Sequence, residues 1–323
     1  MITANEINGL YAILPTPAKP DANKLDAVNT VDLDETERVV SKLLDEGASG
    51  LIVLGTTGEC ATLSRPDFEA FTRCVTETVK RRVPTFVGTT ALGGHEVASR
   101  MKFIRECGAD GTLLGLPMWQ PLTTKTAVEF YRAMSESFPD IAVMVYANAR
   151  AFRYDFPFEF WEALLREAPT VVAAKLSRPK KLLELVQATK GKINIMPNEM
   201  TVDHFFATSP ETTTACWATA AAMAPAPLIS LMKSIAANDT EQVKSMAEAI
   251  AWANEPLSPV FKDPEIFALY NIQVEKTRIT AAGYCNAGPI RPPYDDLPEQ
   301  YLAASRECGL RWATLQQKYS VKK

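Results

Sequence analysis

The chain has 323 residues, 47% of them hydrophobic and 22% charged, with a formal net charge of −4. That balance describes a globular protein with material for a large core, and no Lys/Arg-rich block is present to bind nucleic acid. The longest near-apolar stretch, 215–232, is broken by prolines, threonine and serine, so no membrane span is expected; residues 1–10 lack a basic region followed by an apolar one, which makes the cytoplasm the expected location.

In chain order, short β-like runs recur at 10–14, 50–54, 85–88, 112–114, 141–146, 171–175, 193–196 and 213–217. Between the second and third, residues 64–82 carry Phe68, Phe71, Val75 and Val79 on one helical face, and Ser64 with Asp67 reads as a capping box at the start. Residues 96–107 repeat the pattern with Val97, Met101 and Ile104, and Gly108 supplies a stop. Eight βα units over roughly 220 residues predict a closed (β/α)8 TIM barrel in preference to an open doubly wound sheet. No GxGxxG or GxxxxGK[ST] sequence supports a nucleotide site.

After the eighth run the alternation stops, and 227–237, 240–252, 264–282 and 298–319 read as helices. The expected organisation is therefore a barrel catalytic domain over 1–225, then the last barrel helix and a C-terminal helical extension over 226–323. The proline-rich loop 283–294 either reaches back across the barrel mouth or merely joins two helices.

Six cysteines, at 60, 74, 107, 216, 285 and 308, form no CxxC pair, and His95 and His204 are the only histidines. Neither a zinc site nor a Ser-His-Asp relay is readable from them, so no metal or organic cofactor is expected. Proton transfer then falls to lysine, tyrosine, carboxylate, hydroxyl or water.

In a barrel, chemistry collects at the C-terminal ends of the strands. The second run leads into Gly55-Thr56-Thr57-Gly58-Glu59, a glycine-flanked turn whose hydroxyls and N–H groups suit a small carboxylate, or an ordinary loop with two satisfied threonines. The fifth ends in Tyr146-Ala147-Asn148, which sets a phenol at the rim or buries a bonded tyrosine. The sixth, Val171 to Ala174, closes at Lys175 before the turn-like Ser177-Arg178-Pro179, and the eighth ends in Cys216-Trp217. An amine held at an apolar rim loses ammonium stability and becomes a nucleophile toward carbonyls, whereas a snorkelling lysine is the plain alternative.

These residues, in this order and spacing, resemble the pyruvate-dependent class I aldolases typified by dihydrodipicolinate synthase and N-acetylneuraminate lyase. Within that superfamily the chain is most similar to the trans-o-hydroxybenzylidenepyruvate hydratase-aldolases and their carboxybenzylidenepyruvate relatives of aromatic hydrocarbon degradation. The narrower likeness rests on 55–63, Trp119-Gln120-Pro121-Leu122, Tyr146-Ala147-Asn148 followed by 152–157, Cys216-Trp217-Ala218 and 287–294, and it spans most of the chain.

The resemblance implies that Lys175 forms a Schiff base with the ketone of a pyruvyl group and that Tyr146 shuttles protons. It implies that Thr56 and Thr57, with Gly58, hold the pyruvyl carboxylate, that Asn148 positions a water and that Asn286 assists with protons. Trp119, Trp217 and Phe152 suggest an apolar pocket for an aryl group, or core packing. Met118-Trp119 stands where dihydrodipicolinate synthases carry a tyrosine pair, and Tyr146-Ala147-Asn148-Ala149 replaces their Tyr-Asn-x-Pro, with Arg150 one place early; both argue against lysine biosynthesis. The expected partner is a small pyruvyl aromatic acid, with an aliphatic 2-keto acid as the alternative, and the expected assembly is a homotetramer. Arg178 is either a clamp for a second carboxylate on the aryl ring or a solvated helix-start arginine.

Overall fold

The computed structural model describes residues 1–320. Eight parallel strands, β1 (Gly9–Ile13), β2 (Gly50–Val53), β3 (Thr85–Gly88), β4 (Gly111–Leu114), β5 (Ala142–Tyr146), β6 (Val171–Lys175), β7 (Asn194–Met196) and β8 (Ala215–Ala218), run in the order β7-β6-β5-β4-β3-β2-β1-β8. The two end strands meet through a single parallel bridge between Asn198 and Trp217, a bond from Asn194 Nδ2 to Thr214 Oγ1 of 2.9 Å and one from the Trp217 indole N–H to Met196 O of 3.0 Å. The result is a nearly closed (β/α)8 barrel whose weakest seam lies beside Trp217. β8 begins later than its apolar run predicts: Thr213 Oγ1 bonds Ser209 O at 2.8 Å and Thr214 Oγ1 bonds Ile7 O at 3.0 Å, which ties both residues into the loop below.

The helices are α1 (Leu33–Asp45), α2 (Arg65–Val79), α3 (Gly94–Glu106), α4 (Thr124–Ser137), the single-turn α5 (Ala149–Phe152), α6 (Phe158–Glu167), α7 (Leu182–Thr189), α8 (Val202–Thr208) and α9 (Ala226–Ala236). Ser64 caps α2 by accepting from the Asp67 N–H, as its sequence predicts. The return arm of the expected box is diverted, because the Asp67 carboxylate takes Thr30 N and Oγ1, both at 2.9 Å, and so staples the loop after β1. α2 ends at Val79, short of residue 82, where Lys80 turns left-handed at φ 50°. Phe68, Phe71, Val75 and Val79 are buried against the barrel, and each such side chain contributes roughly 1.5–3 kcal/mol.

Beyond the barrel come α10 (Thr240–Asn254), α11 (Ser258–Lys262), α12 (Pro264–Ala282) and α13 (Glu299–Tyr319), with α12 packed along α13. Three of the four charged residues of α12, Glu275, Lys276 and Arg278, are buried, because this helix leans over the C-terminal rim of the barrel. The loop 283–294 also returns to the rim. It packs on the loops after β1 and β2, where the Ala18 N–H donates to Ala287 O at 3.1 Å and Arg291 donates to Thr16 O and Thr30 O, each at 3.2 Å.

Candidate active site

The turn after β2 is shaped by backbone constraint. Leu54 adopts φ 59° and Glu59 φ 55°, a left-handed pair that costs of order 1–3 kcal/mol per residue and curls Gly55–Glu59 over the barrel mouth. Glycine is required around it: a Cβ on Gly88 would stand 2.0 Å from Leu54 O, and one on Gly58 would stand 2.8 Å from Leu54 N. Glu59 is fully buried and holds the turn from behind, accepting from Lys276 Nζ at 2.7 Å, from the Arg291 N–H at 2.8 Å and from the Arg291 guanidinium.

On the opposite wall, β5 and β6 slip by one residue between Val143 and Met144, and this irregularity sets Tyr146 level with Lys175. Both side chains face the barrel axis at its open end. The Lys175 amine lies 4.8 Å from the centroid of the Tyr146 ring and 3.3 Å from that of Trp217. Trp217 is oriented by its indole N–H, which donates to Met196 O at 3.0 Å. Tyr146 Oη and Thr56 Oγ1 share a 2.8 Å hydrogen bond, and Phe152 packs edge-on behind the phenol at 5.4 Å.

Burial pushes the Lys175 amine down to about 7, against the opposing pull of Glu199 and Glu275. Among the described residues no carboxylate pairs with it directly. About half of the population is then neutral near pH 7, a state that can attack a carbonyl. Burial raises the Tyr146 phenol above its ordinary value, and hydrogen bonds from Thr56 and Asn148 pull it partly back.

These groups line a cavity of about 510 Å³, within the size range of small-molecule sites. Ile13, Ile52 and Leu113 form its apolar floor, while Arg150, Arg178 and Phe267 stand at its mouth. Arg150 is fixed there by a 2.7 Å bond to Pro264 O and by the Phe267 ring at 4.9 Å. Arg178 is exposed. Among the described residues no group of three or more His, Cys, Asp or Glu is arranged to hold a metal ion, and the six cysteines are free.

Lys175, Tyr146, Asn148, Thr56, Thr57 and Trp217 are brought together around this cavity. Asn148 does so as the N-cap of α5, its side-chain oxygen accepting from the Ala151 N–H at 3.2 Å. Four other residues singled out by sequence do not line it. Gly58 lies behind the turn, where its carbonyl accepts from Thr16 Oγ1 at 2.8 Å; its contribution is the tight fold of the turn. Trp119 is 79% exposed and outside the cavity, its loop held by Arg153, which donates to the Met118 and Trp119 carbonyls. Asn286 is exposed, with its side chain accepting from the Gly288 N–H at 3.2 Å and its own N–H given to Glu35 at 2.6 Å, because the loop turns toward α1 before it meets the mouth. Phe152 sits in the second layer behind Tyr146.

Sequence reasoning missed Glu199, which follows β7, and Asn271, Glu275 and Arg278 of α12, all of which line the cavity. The available signal was the close cluster Glu275, Lys276 and Arg278 within an otherwise largely apolar helix, a pattern that fits burial against polar partners better than a solvated surface.

The model of the dihydrodipicolinate synthetase family matches residues 22–307. Over nearly its whole length the chain is similar to trans-O-hydroxybenzylidenepyruvate hydratase-aldolase of Pseudomonas putida, with 40% identity over 99% of this chain and 97% of that protein. It is 37% identical to trans-2'-carboxybenzalpyruvate hydratase-aldolase of Nocardioides sp. (strain KP7), over 98% of this chain and 96% of the other. The solved structure of PhdJ bound to substrate intermediate superposes with a TM-score of 0.95 at 36% identity, covering 99% of both chains. With its barrel, its rim lysine and this full-length likeness, the chain belongs to the dihydrodipicolinate synthetase family.

Proposed function

We propose that this protein is a hydratase-aldolase that converts an arylidenepyruvate and water into an aromatic aldehyde and pyruvate through a Lys175 Schiff base. The observation that carries the reading is the unpaired, burial-neutralised amine of Lys175 between the rings of Tyr146 and Trp217. The names of the full-length relatives support the substrate class.

In this reading the amine condenses with the ketone, and the resulting iminium, conjugated to the alkene, draws electrons from the aryl-bearing carbon. Water adds there, with Asn148 orienting it, and the proton it gives up goes to the adjacent carbon of the enamine so formed, which restores the iminium. Tyr146 then takes the proton of the new hydroxyl, the adjacent carbon–carbon bond breaks, and its electron pair is held as an enamine by the iminium nitrogen. Aldehyde leaves, the enamine is protonated, and hydrolysis frees pyruvate and Lys175. Thr56 and Thr57 hold the pyruvyl carboxylate so that the ketone stays at the amine, and Trp217 with the apolar floor takes the aryl group. Arg178 and Arg150 at the mouth suit a ring carboxylate better than a neutral substituent. A homotetramer working in the cytoplasm in aromatic hydrocarbon catabolism completes the proposal, and sedimentation reads its assembly.

Borohydride reduction with pyruvate tests the covalent step: a pyruvyl mass on Lys175 is expected, and its absence, or its attachment elsewhere, refutes the mechanism. Loss of arylidenepyruvate absorbance with aldehyde release tests the substrate class. Activity confined to aliphatic 2-keto acids refutes that part.

A further inference from the structure

Glu199 has no place in the steps above, yet it lines the same cavity as Lys175 and its side chain is only 2% exposed. Its Oε2 is buried without a hydrogen-bond partner, and its Oε1 lies 3.9 Å from Arg278 Nη2, beyond hydrogen-bonding reach. Arg278 is already engaged: it donates to Glu275 Oε2 at 2.9 Å, to Glu275 Oε1 at 3.0 Å and to Asn254 Oδ1 at 2.8 Å. Arg278 therefore hydrogen-bonds Glu275 and reaches Glu199 only as a long ion pair. A buried carboxylate oxygen without a hydrogen-bond partner is costly, and native folds keep such groups chiefly where they have chemistry to perform.

We infer that Glu199 is the group that exchanges a proton with Lys175 while the Schiff base forms. The assignment rests on the Lys175 mechanism proposed above. The proton of the Lys175 ammonium passes to the Glu199 carboxylate. The freed amine pair forms the C–N bond, and the carbonyl π pair moves to oxygen, which takes a proton from the nitrogen through Tyr146. Glu199 returns its proton to the resulting hydroxyl, the C–O bond breaks, water leaves, and the nitrogen pair closes the C=N bond. Ammonium and ketone have become iminium and water, and Glu199 is a carboxylate again.

The titratable and charged groups that act electrostatically on Glu199 are Arg278 and Glu275 from α12, Lys175 from β6, Cys216 from β8 and Cys308 from α13. Both thiols are raised by burial and stay neutral around pH 7. Burial raises Glu199 to about 7, the value to which burial lowers Lys175, so a proton passes between them at little cost in either direction.

The experiment follows the rate of borohydride-trappable imine formation with pyruvate, from pH 5 to pH 9 (about four units centred on 7), in the full-length protein and in E199Q. The native protein is expected to give a bell with both limbs near neutrality. In E199Q the rate is expected to fall by about 100-fold and the bell to lose one limb, while the final extent of labelling at Lys175 is unchanged. A bell retained in E199Q, or imine formation at the native rate, overturns the assignment. Should E199Q fail to fold, E199D serves: a rate about 10-fold lower with both limbs kept is expected, and an unchanged rate overturns the assignment. Absence of label at Lys175 in the native protein removes the Schiff-base mechanism itself, a failure seen before any variant is compared.

Discussion

Replacing Lys175 by methionine removes the amine at nearly constant volume and should make the fold more stable at low pH. In the folded chain burial holds this amine at about 7, against an ordinary 10.5 that the unfolded chain retains. Below pH 7 both states are protonated and the folded state bears the full penalty of a buried ammonium. Between pH 7 and 10.5 the unfolded chain binds more protons than the folded one, so stability rises with pH, and above 10.5 the penalty is gone. At about 1.4 kcal/mol per pH unit, the fall from 10.5 to about 7 corresponds to roughly 5 kcal/mol. The Trp217 ring under the amine offsets about 1–2 kcal/mol of this by cation–π attraction, leaving about 3–4 kcal/mol. With an unfolding entropy of about 2.1 cal/mol/K per residue, the gain in Tm for Lys175→Met at pH 6 is about 4–6 °C. The assay is the difference in thermal midpoint between native and variant protein, read at pH 6 and again near pH 10. Packing changes appear equally at both, so only the pH-dependent part reports the buried charge. An equal difference at the two pH values refutes the argument that burial neutralises this lysine.

Other expected outcomes follow from the same geometry. Tyr146→Phe deletes the hydroxyl bonded to Thr56 and should lower kcat/KM by about 10²–10⁴, while borohydride still traps pyruvate on Lys175; unchanged turnover excludes the phenol from proton transfer. Glu59→Gln leaves Lys276 and Arg291 buried without their anion and should cost about 3–5 kcal/mol, read as a lower unfolding midpoint, with KM for the pyruvyl substrate rising as the Thr56–Thr57 turn loosens. Asn286→Ala should leave kcat/KM within about twofold, since this side chain reaches only its own loop; a large loss would show that the loop moves over the cavity during turnover.

The sequence by itself determined the barrel, because eight apolar runs buried on both faces and spaced by amphipathic segments have few other ways to satisfy parallel pairing. It also marked Tyr146, Lys175 and Trp217, which end such runs, and Thr56, in the turn directly after one, since in a parallel barrel every run ends at the same rim. Trp119 and Asn286 are loop residues indicated by likeness and not by any run, and loop positions follow contacts that no periodicity encodes: Arg153 on the Trp119 carbonyl, Glu35 on the Asn286 N–H. Glu199 and Arg278 were invisible for a related reason. Arg278 joins the cavity of Lys175 only because α12, distant in the chain, leans across the rim, and Glu199 joins it from the loop after β7, outside any periodic run. Even the central pair needed the tertiary structure. Without the slip between Val143 and Met144, the register from Val171 would set Ala147 opposite Lys175 and turn the phenol to the other face of the sheet. Alternation of hydrophobicity identifies a strand, but it says nothing of the register between two strands, and here a one-residue offset places the phenol beside the amine.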